Sequence, residues 1–303
     1  MLAIIIPYYK KTFFEETLQS LANQIDKRFK VYIGDDASPE NPSELIAKYI
    51  DQLDLVYQRF ESNLGGISLV QQWNRCIDLS RDEEWLMILG DDDFLGENCV
   101  ASWYENHDLF SNKSQVVRFS SKLVFEEDNT ISNLFEHPVW EMATDSFYRK
   151  YQNITRSSLS EYIFSRKSFI KYGFCDYPLA WNSDDRAWLD FSDEKPIFTI
   201  NECTVFVRIS SLNISGKTDN IYDKSLSQIK FYRFLVSNKL EKYDKHQRDH
   251  LMRRYENEII NIRDINLEEW LYLLFFYIKY FDVYLFKKFI KRFLNTMLKR
   301  HEH

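Results

Sequence analysis

Trp85-Leu86-Met87-Ile88-Leu89-Gly90-Asp91-Asp92-Asp93 joins five apolar residues to a glycine and three adjacent carboxylates. A short apolar run that stops abruptly at such a polar cluster predicts a strand buried within a sheet. Adjacent carboxylates repel one another, so a cation or hydrogen-bond donors must compensate them. Hard oxygen ligands at this density suit magnesium or manganese, ions that commonly bridge a carboxylate to a diphosphate. A solvated acidic turn is the alternative for the triplet taken alone.

Upstream, the same pattern recurs. Residues 2–6, 30–33 and 55–60 are short apolar or mixed runs that predict strands. Residues 12–24, 42–53 and 67–79 carry helical spacing between them. The alternation predicts an α/β fold with a mostly parallel sheet flanked by helices. Ligands of such sheets bind beyond the carboxyl ends of the strands. The polar clusters fall there: Pro7-Tyr8-Tyr9, Asp35-Asp36, Asn63-Leu64-Gly65-Gly66 and the acidic triplet. Asp35 and Asp36 can accept from a base or ribose, or form a turn that ends in a Ser38 cap. The Asn63–Gly66 stretch can bring backbone N–H groups to a nucleotide, or serve as a tight turn.

Further on, residues 116–119, 122–125 and 197–209 have strand character, 145–152 is helical, and the chain after Asn220 is helical throughout. The expected division is a catalytic domain over 1–215 and a helical C-terminal region over 216–303.

Composition narrows the function. A net charge of -7 argues against nucleic acid as partner. Four scattered cysteines without a CxxC pair argue against a zinc site and fit a reducing, cytoplasmic setting. The N-terminus lacks the basic segment of a signal peptide, and no apolar stretch reaches the roughly 18 residues of a membrane span. Only seven glycines occur, five of them in the first 100 residues, where backbone turns or close approaches are expected.

The ordered set IIIPYYKK, IGDDAS, NLGGISLVQQWN and ILGDDDFL resembles the successive motifs of family 2 glycosyltransferases with the GT-A fold. The match runs over about residues 1–105 and continues more weakly to about 215. The resemblance implies an inverting, metal-dependent transfer of sugar from a nucleotide-diphosphate donor, a UDP-sugar first among them. By it, Pro7 and Tyr9 line the nucleoside pocket, Asp36 contacts the base, and Asn74 lies near the donor sugar. The family's acidic motif places Gly90 at its first position, Asp92 near ribose or metal, and Asp93 as the direct ligand of Mn2+ or Mg2+. Asp91 has the less certain place. Many relatives add a metal-binding histidine after the catalytic helix, and this sequence has none between His137 and His246.

Trp181-Asn182-Ser183-Asp184-Asp185 resembles the family's later acidic pair, which opens a helix and supplies the base. A carboxylate there would take the acceptor proton as its oxygen attacks. Asp185 is the expected base and Asp184 its orienter; the alternative is a plain helix cap. Arg208 is expected on the donor phosphate, or in a surface ion pair. It precedes the 210–216 stretch that resembles a loop closing over the diphosphate. Trp181 and Arg156 are the expected acceptor contacts.

The last helices combine aromatics with Lys279, Lys287, Lys288, Lys291 and Arg292. Such a helix lies on a membrane surface or packs on protein. The whole predicts an enzyme of bacterial surface-polysaccharide synthesis, cytoplasmic or peripheral at the inner face of the membrane, with a saccharide or lipid-linked acceptor. A nucleotidyltransferase, or a scaffold that has lost catalysis, are the alternatives.

Overall fold

The computed structural model describes residues 1–210 and 220–300. The chain forms two compact units, 1–219 and 220–303. The boundary expected at 215, and most of the expected diphosphate loop, lie outside the described residues.

The first half of unit one follows the predicted alternation. It runs β1 (Leu2–Tyr8), α1 (Phe14–Ala22), β2 (Phe29–Asp35), α2 (Ser43–Ala47), β3 (Leu55–Arg59), α3 (Leu69–Ile77), β4 (Trp85–Ile88), β5 (Phe94–Leu95) and α4 (Cys99–Phe110). Then come β6 (Val116–Phe125), β7 (Thr130–Ile131), β8 (Trp140–Glu141), α5 (Ala143–Tyr151), β9 (Tyr162–Ser165), α6 (Arg166–Tyr172), α7 (Ser183–Phe191) and β10 (Ile197–Ile209). They build one mixed sheet in the order β3-β2-β1-β4-β9-β6-β10-β5.

The strands β3, β2, β1 and β4 are mutually parallel, so their carboxyl ends share one edge. Beyond them β9 runs antiparallel to both β4 and β6, while β6 and β10 are parallel to each other. The sheet is thus parallel in one half and mixed in the other. Ile4, Ile5 and Ile6 of β1 are fully buried, each worth roughly 1.5–3 kcal/mol of transfer free energy. Helix α3 lays Val70, Trp73, Cys76 and Ile77 inward. It approaches β2 at Gly34, where an added Cβ would lie 2.2 Å from the Cys76 sulfur. Ser68 caps α3 by accepting from the Gln71 N–H at 3.1 Å.

Two local expectations change. The helix over 42–53 stops at Ala47, because the following N–H groups bond three residues back rather than four (Lys48 to Leu45, Tyr49 to Ile46). The two strands expected over 116–125 are one, with Ser120 and Ser121 fully buried in its middle. The Ser120 hydroxyl is satisfied there by the Cys203 carbonyl at 2.5 Å.

Unit two consists of α8 (Ile221–Asn238), α9 (Lys245–Ile260), α10 (Leu267–Lys279) and α11 (Val283–Arg300). Full capping boxes start α9 at Asp244 and α10 at Asn266. Among the described residues no helix is long and apolar enough to cross a membrane.

Candidate active site

The loops after the parallel strands are tied into one rim. The Ser38 hydroxyl donates to the Tyr9 carbonyl at 2.6 Å, and the Asp36 N–H to the Tyr8 carbonyl at 3.0 Å. Asp36, almost fully buried, accepts from the Leu64 N–H at 2.7 Å and the Gly65 N–H at 2.9 Å, and pairs with Arg75. Gly65 permits this approach, since a Cβ there would stand 2.5 Å from the Asp36 carboxylate. Asn63 closes the turn by accepting from the Gly66 N–H at 2.6 Å. Pro7 is half-buried and Tyr9 exposed at the lip of this rim. On α3 the buried Oδ1 of Asn74 has no hydrogen-bond partner, the state of an acceptor awaiting a donor.

Asp35 is engaged within the chain. It is fully buried, and its oxygens accept from the Ser38 N–H at 2.8 Å, the Tyr57 hydroxyl at 2.6 Å and Arg59 at 2.8 Å. Those three donors occupy most of its acceptor sites. Its work is to hold the β2 and β3 ends together.

In the acidic triplet the three carboxylates have separate roles. Asp91 accepts from the backbone N–H groups of Tyr9 at 2.7 Å and Lys10 at 2.8 Å, which fastens the β1 loop to the β4 loop. Asp93, buried, accepts from the Arg208 N–H at 2.8 Å and from the Ser160 hydroxyl. Ser160 accepts in turn from the Gly90 N–H at 3.0 Å. Asp92 is half-buried, and among the described residues no side chain donates to its carboxylate, which meets its own backbone N–H. Burial raises all three above the ordinary carboxylate value, Asp91 and Asp92 to about 6 and Asp93 to about 7, with neighbouring aspartate charge adding to it. A Cβ at Gly90 would lie 2.9 Å from Asp92 and 3.0 Å from Asp93, so glycine there gives the carboxylates room to fold back over the turn.

Among the described residues no three His, Cys, Asp or Glu side chains are grouped to hold a metal. The donor set fits a different mode. Asp93, expected as a direct ligand beside Asp92, has the Arg208 N–H and the Ser160 hydroxyl on its oxygens, whereas Asp92 meets only its own N–H, with the charges of Lys10 and Arg208 partly offsetting its own. Magnesium and manganese sites of one or two carboxylates are completed by substrate phosphates and water.

Two arginines sit differently from expectation. The Arg208 guanidinium pairs with both Glu16 and Glu126, stacks 4.1 Å over the Phe13 ring, and donates from Nε to the Asp92 carbonyl at 2.9 Å. It is buried and ties the acidic loop to Glu16 and Glu126. Arg156 pairs with the fully buried Glu161 and donates to the Ser121 hydroxyl at 3.0 Å. An unpaired Glu161 carboxylate in that position would be costly, which fixes the Arg156 guanidinium on it.

The second acidic cluster opens α7. Asp185 is buried, with Oδ1 on the Lys150 ammonium of α5 at 2.6 Å and Oδ2 on the Asn182 amide at 2.8 Å. Asp184 is half-buried, and no described side chain donates to it. Burial and the Asp185 charge raise it to about 7, against the opposing pull of Lys150. Asp185 is thus held by two side chains, whereas Asp184 meets only backbone N–H groups, its own and that of Asp185. Leu179, Ala180 and Asn182 all have φ between 52° and 64°, a concentration of left-handed backbone that non-glycine residues hold only when the surroundings enforce it. Trp181, half-buried, sits inside that turn.

Neither Lys150 nor Ser160 stands out in the sequence, yet both organise the site. Ser160 connects the two clusters: it holds Gly90 and Asp93, and two residues on Tyr162 stacks on Trp188 of α7 at 4.2 Å.

Comparison with known proteins agrees with this architecture. Residues 3–176 match the model of glycosyl transferase family 2. No curated protein matches significantly. Among solved structures, S. aureus TarS 1-349 in complex with UDP-GlcNAc superposes with a TM-score of 0.66 at 16% identity, covering 94% of this chain and 82% of that one. The TarS complex with UDP gives 0.62 at 16% identity over the same shares. GalNAc-T7 with UDP, GalNAc and Mn2+ gives 0.52 at 10% identity over 86% of this chain and 56% of that one. The fold is of the GT-A kind with a helical C-terminal region, and the chain belongs to glycosyl transferase family 2.

Proposed function

We propose that this glycosyltransferase moves a sugar from a UDP-sugar, with inversion and with divalent metal, to a hydroxyl of a saccharide or lipid-linked acceptor. The observation that carries the reading is one open carboxylate in each acidic cluster, Asp92 and Asp184, with Ser160 and Tyr162 connecting the two. The UDP-GlcNAc bound to TarS makes that nucleotide-sugar the first donor to test.

Pro7, Tyr9 and the Asn63–Gly66 turn form the nucleoside side of the rim, stiffened by Asp36. The orphaned Asn74 oxygen accepts from a donor-sugar hydroxyl. Asp92, with the donor diphosphate, would hold magnesium or manganese, which when bound neutralises the leaving charge. Trp181 offers an aromatic face to the acceptor sugar. Asp184 takes the acceptor hydroxyl proton as that oxygen forms its bond to the anomeric carbon. The bond from that carbon to the diphosphate oxygen breaks on the opposite face, and its electron pair leaves with the nucleotide. Asp185, fixed by Lys150 and Asn182, orients Asp184.

Thermal unfolding of the chain with UDP-GlcNAc and other nucleotide-sugars, in manganese and then in chelator, tests this reading. A donor at 100 times its dissociation constant adds about 2.7 kcal/mol, and chelator removes that gain. A folded chain stabilised by no nucleotide-sugar in the presence of metal would instead support a scaffold that has lost catalysis.

A further inference from the structure

Helix α10 is apolar on two opposite faces. Trp270, Leu273, Phe276 and Tyr277 are buried, as the inner face of a packed helix should be. On the outer face Leu267, Leu271, Phe275 and Ile278 are 59%, 55%, 59% and 56% exposed. At about 100° per residue these four fall within an arc of about 80°, a continuous stripe of branched and aromatic side chains in water. A packed surface helix ordinarily carries polar residues there. Helix α11 continues the pattern with exposed Val283, Tyr284, Leu294 and Leu298, interleaved with exposed Lys287, Lys288 and Lys291. Its sequence holds no acidic residue.

The nearby acids are already engaged. Glu256 pairs with Arg292 at 2.8 Å, Asp282 with Lys245 at 2.6 Å, and Glu269 with Arg263 at 2.6 Å. Glu268, at the edge of the stripe, faces Arg233 at 3.6 Å. The exposed lysines therefore give the outer surface of α11 a positive sign inside a chain of net charge -7.

We infer that the exposed faces of α10 and α11 dock on an anionic lipid surface, with the apolar side chains entering the headgroup boundary and the lysines reaching lipid phosphates. Charge separates this occupant from a second copy of the chain: two lysine-bearing α11 faces brought together would repel each other. An anionic bilayer instead attracts them, and long lysine stems let the ammonium reach the headgroups while apolar neighbours sit deeper. This inference concerns binding alone and does not rest on the catalytic reading.

Flotation of the full chain with phosphatidylcholine vesicles, with and without phosphatidylglycerol, tests it. The chain should float with the anionic vesicles and fall away as salt is raised. The exposed triple variant Leu271→Glu, Phe275→Glu, Ile278→Glu should remain folded and lose flotation. Reversal of charge at Lys287, Lys288 and Lys291 to Glu should weaken binding roughly a hundredfold, at about fivefold or more per lysine. Ile170→Glu, an exposed apolar residue of unit one, should leave it unchanged. Absence of flotation, or flotation indifferent to both triple variants, overturns the inference. So does a concentration-dependent dimer in light scattering that the α10 variant abolishes, which would place a second copy on this face.

Discussion

The two acidic clusters of unit one are restrained by different chemistry. After β4 the held carboxylates, Asp91 and Asp93, take neutral donors: three backbone N–H groups and a serine hydroxyl. At α7 the held carboxylate, Asp185, takes a full cation, Lys150, together with the Asn182 amide. Neutral donors orient a carboxylate without cancelling its charge. The β4 loop is thus left negative around open Asp92, a setting for a cation and a diphosphate. The α7 pair is half-neutralised and leaves one carboxylate raised to about 7, a setting for receiving a proton near neutral pH. On the proposed function, one arrangement, a held acid beside a less held one, would serve two different tasks.

The largest effect should come from breaking the α7 pair. Asp184→Asn should lower kcat by about 10²–10⁴-fold while donor binding, read by thermal shift, stays intact. Asp185→Asn should cost less, because the free acid remains. Lys150→Met sharpens the test: it removes the charge that pulls Asp184 down, so the acid limb of the kcat profile should move to higher pH. The pairing itself should be missed as well, since stripping the cation from a buried pair costs about 3–5 kcal/mol. If Asp185→Asn abolishes turnover and Asp184→Asn does not, the base is Asp185, as the sequence resemblance implies, and Lys150 must leave it in the donor complex.

At the β4 loop the contrast lies between neighbours. Asp92→Asn should keep the fold and lose metal-dependent stabilisation by donor. Asp93→Asn should lower stability first, since the amide NH2 replaces one of the two oxygens that accept from the Ser160 hydroxyl and the Arg208 N–H, and a buried donor left unsatisfied costs roughly 1–3 kcal/mol. Unfolding in denaturant without ligand, followed by donor titration, separates the two. A stable Asp93→Asn variant that no longer responds to donor and metal would return the ligand role to Asp93.

The strand-end clusters were legible because each follows a run of buried residues whose register the turn residues stop. Which carboxylate in each cluster stays open was not. Asp93 is claimed by Ser160 and Arg208, 67 and 115 residues away in sequence, and Asp185 by Lys150, 35 away. No local pattern encodes such choices. Strand β9, which carries the connection between the clusters, is four buried residues with neither a periodic pattern nor a turn signal to mark it. The arginine pairings were illegible for the same reason: Arg208 meets Glu16 and Glu126 only in the folded chain, and nothing in the sequence ties Arg156 to Glu161.

The smallest effect is in the pH dependence of stability, and it follows from the uncompensated charge. Asp91, Asp92, Asp93 and Asp184 are raised from the ordinary 3.8 to about 6, 6, 7 and 7. Between about pH 4 and 7 the folded chain therefore binds more protons at these sites than the unfolded chain. Folding free energy must then fall as pH rises through that window. Lys10 and Arg208 pull the other way without cancelling the effect. Tm of the metal-free chain should drop between about pH 4 and 7, and manganese with donor should recover part of the loss. Asp92→Asn removes one titrating group and the repulsion it exerts on Asp93, so its Tm should fall less over the same range. Lys150→Met should deepen the fall, because Asp184 and Asp185 then lose their cation. Equal slopes for wild type and Asp92→Asn would mean that the triplet is already compensated within the chain, and the contrast between a charged loop and a half-neutralised pair would be lost.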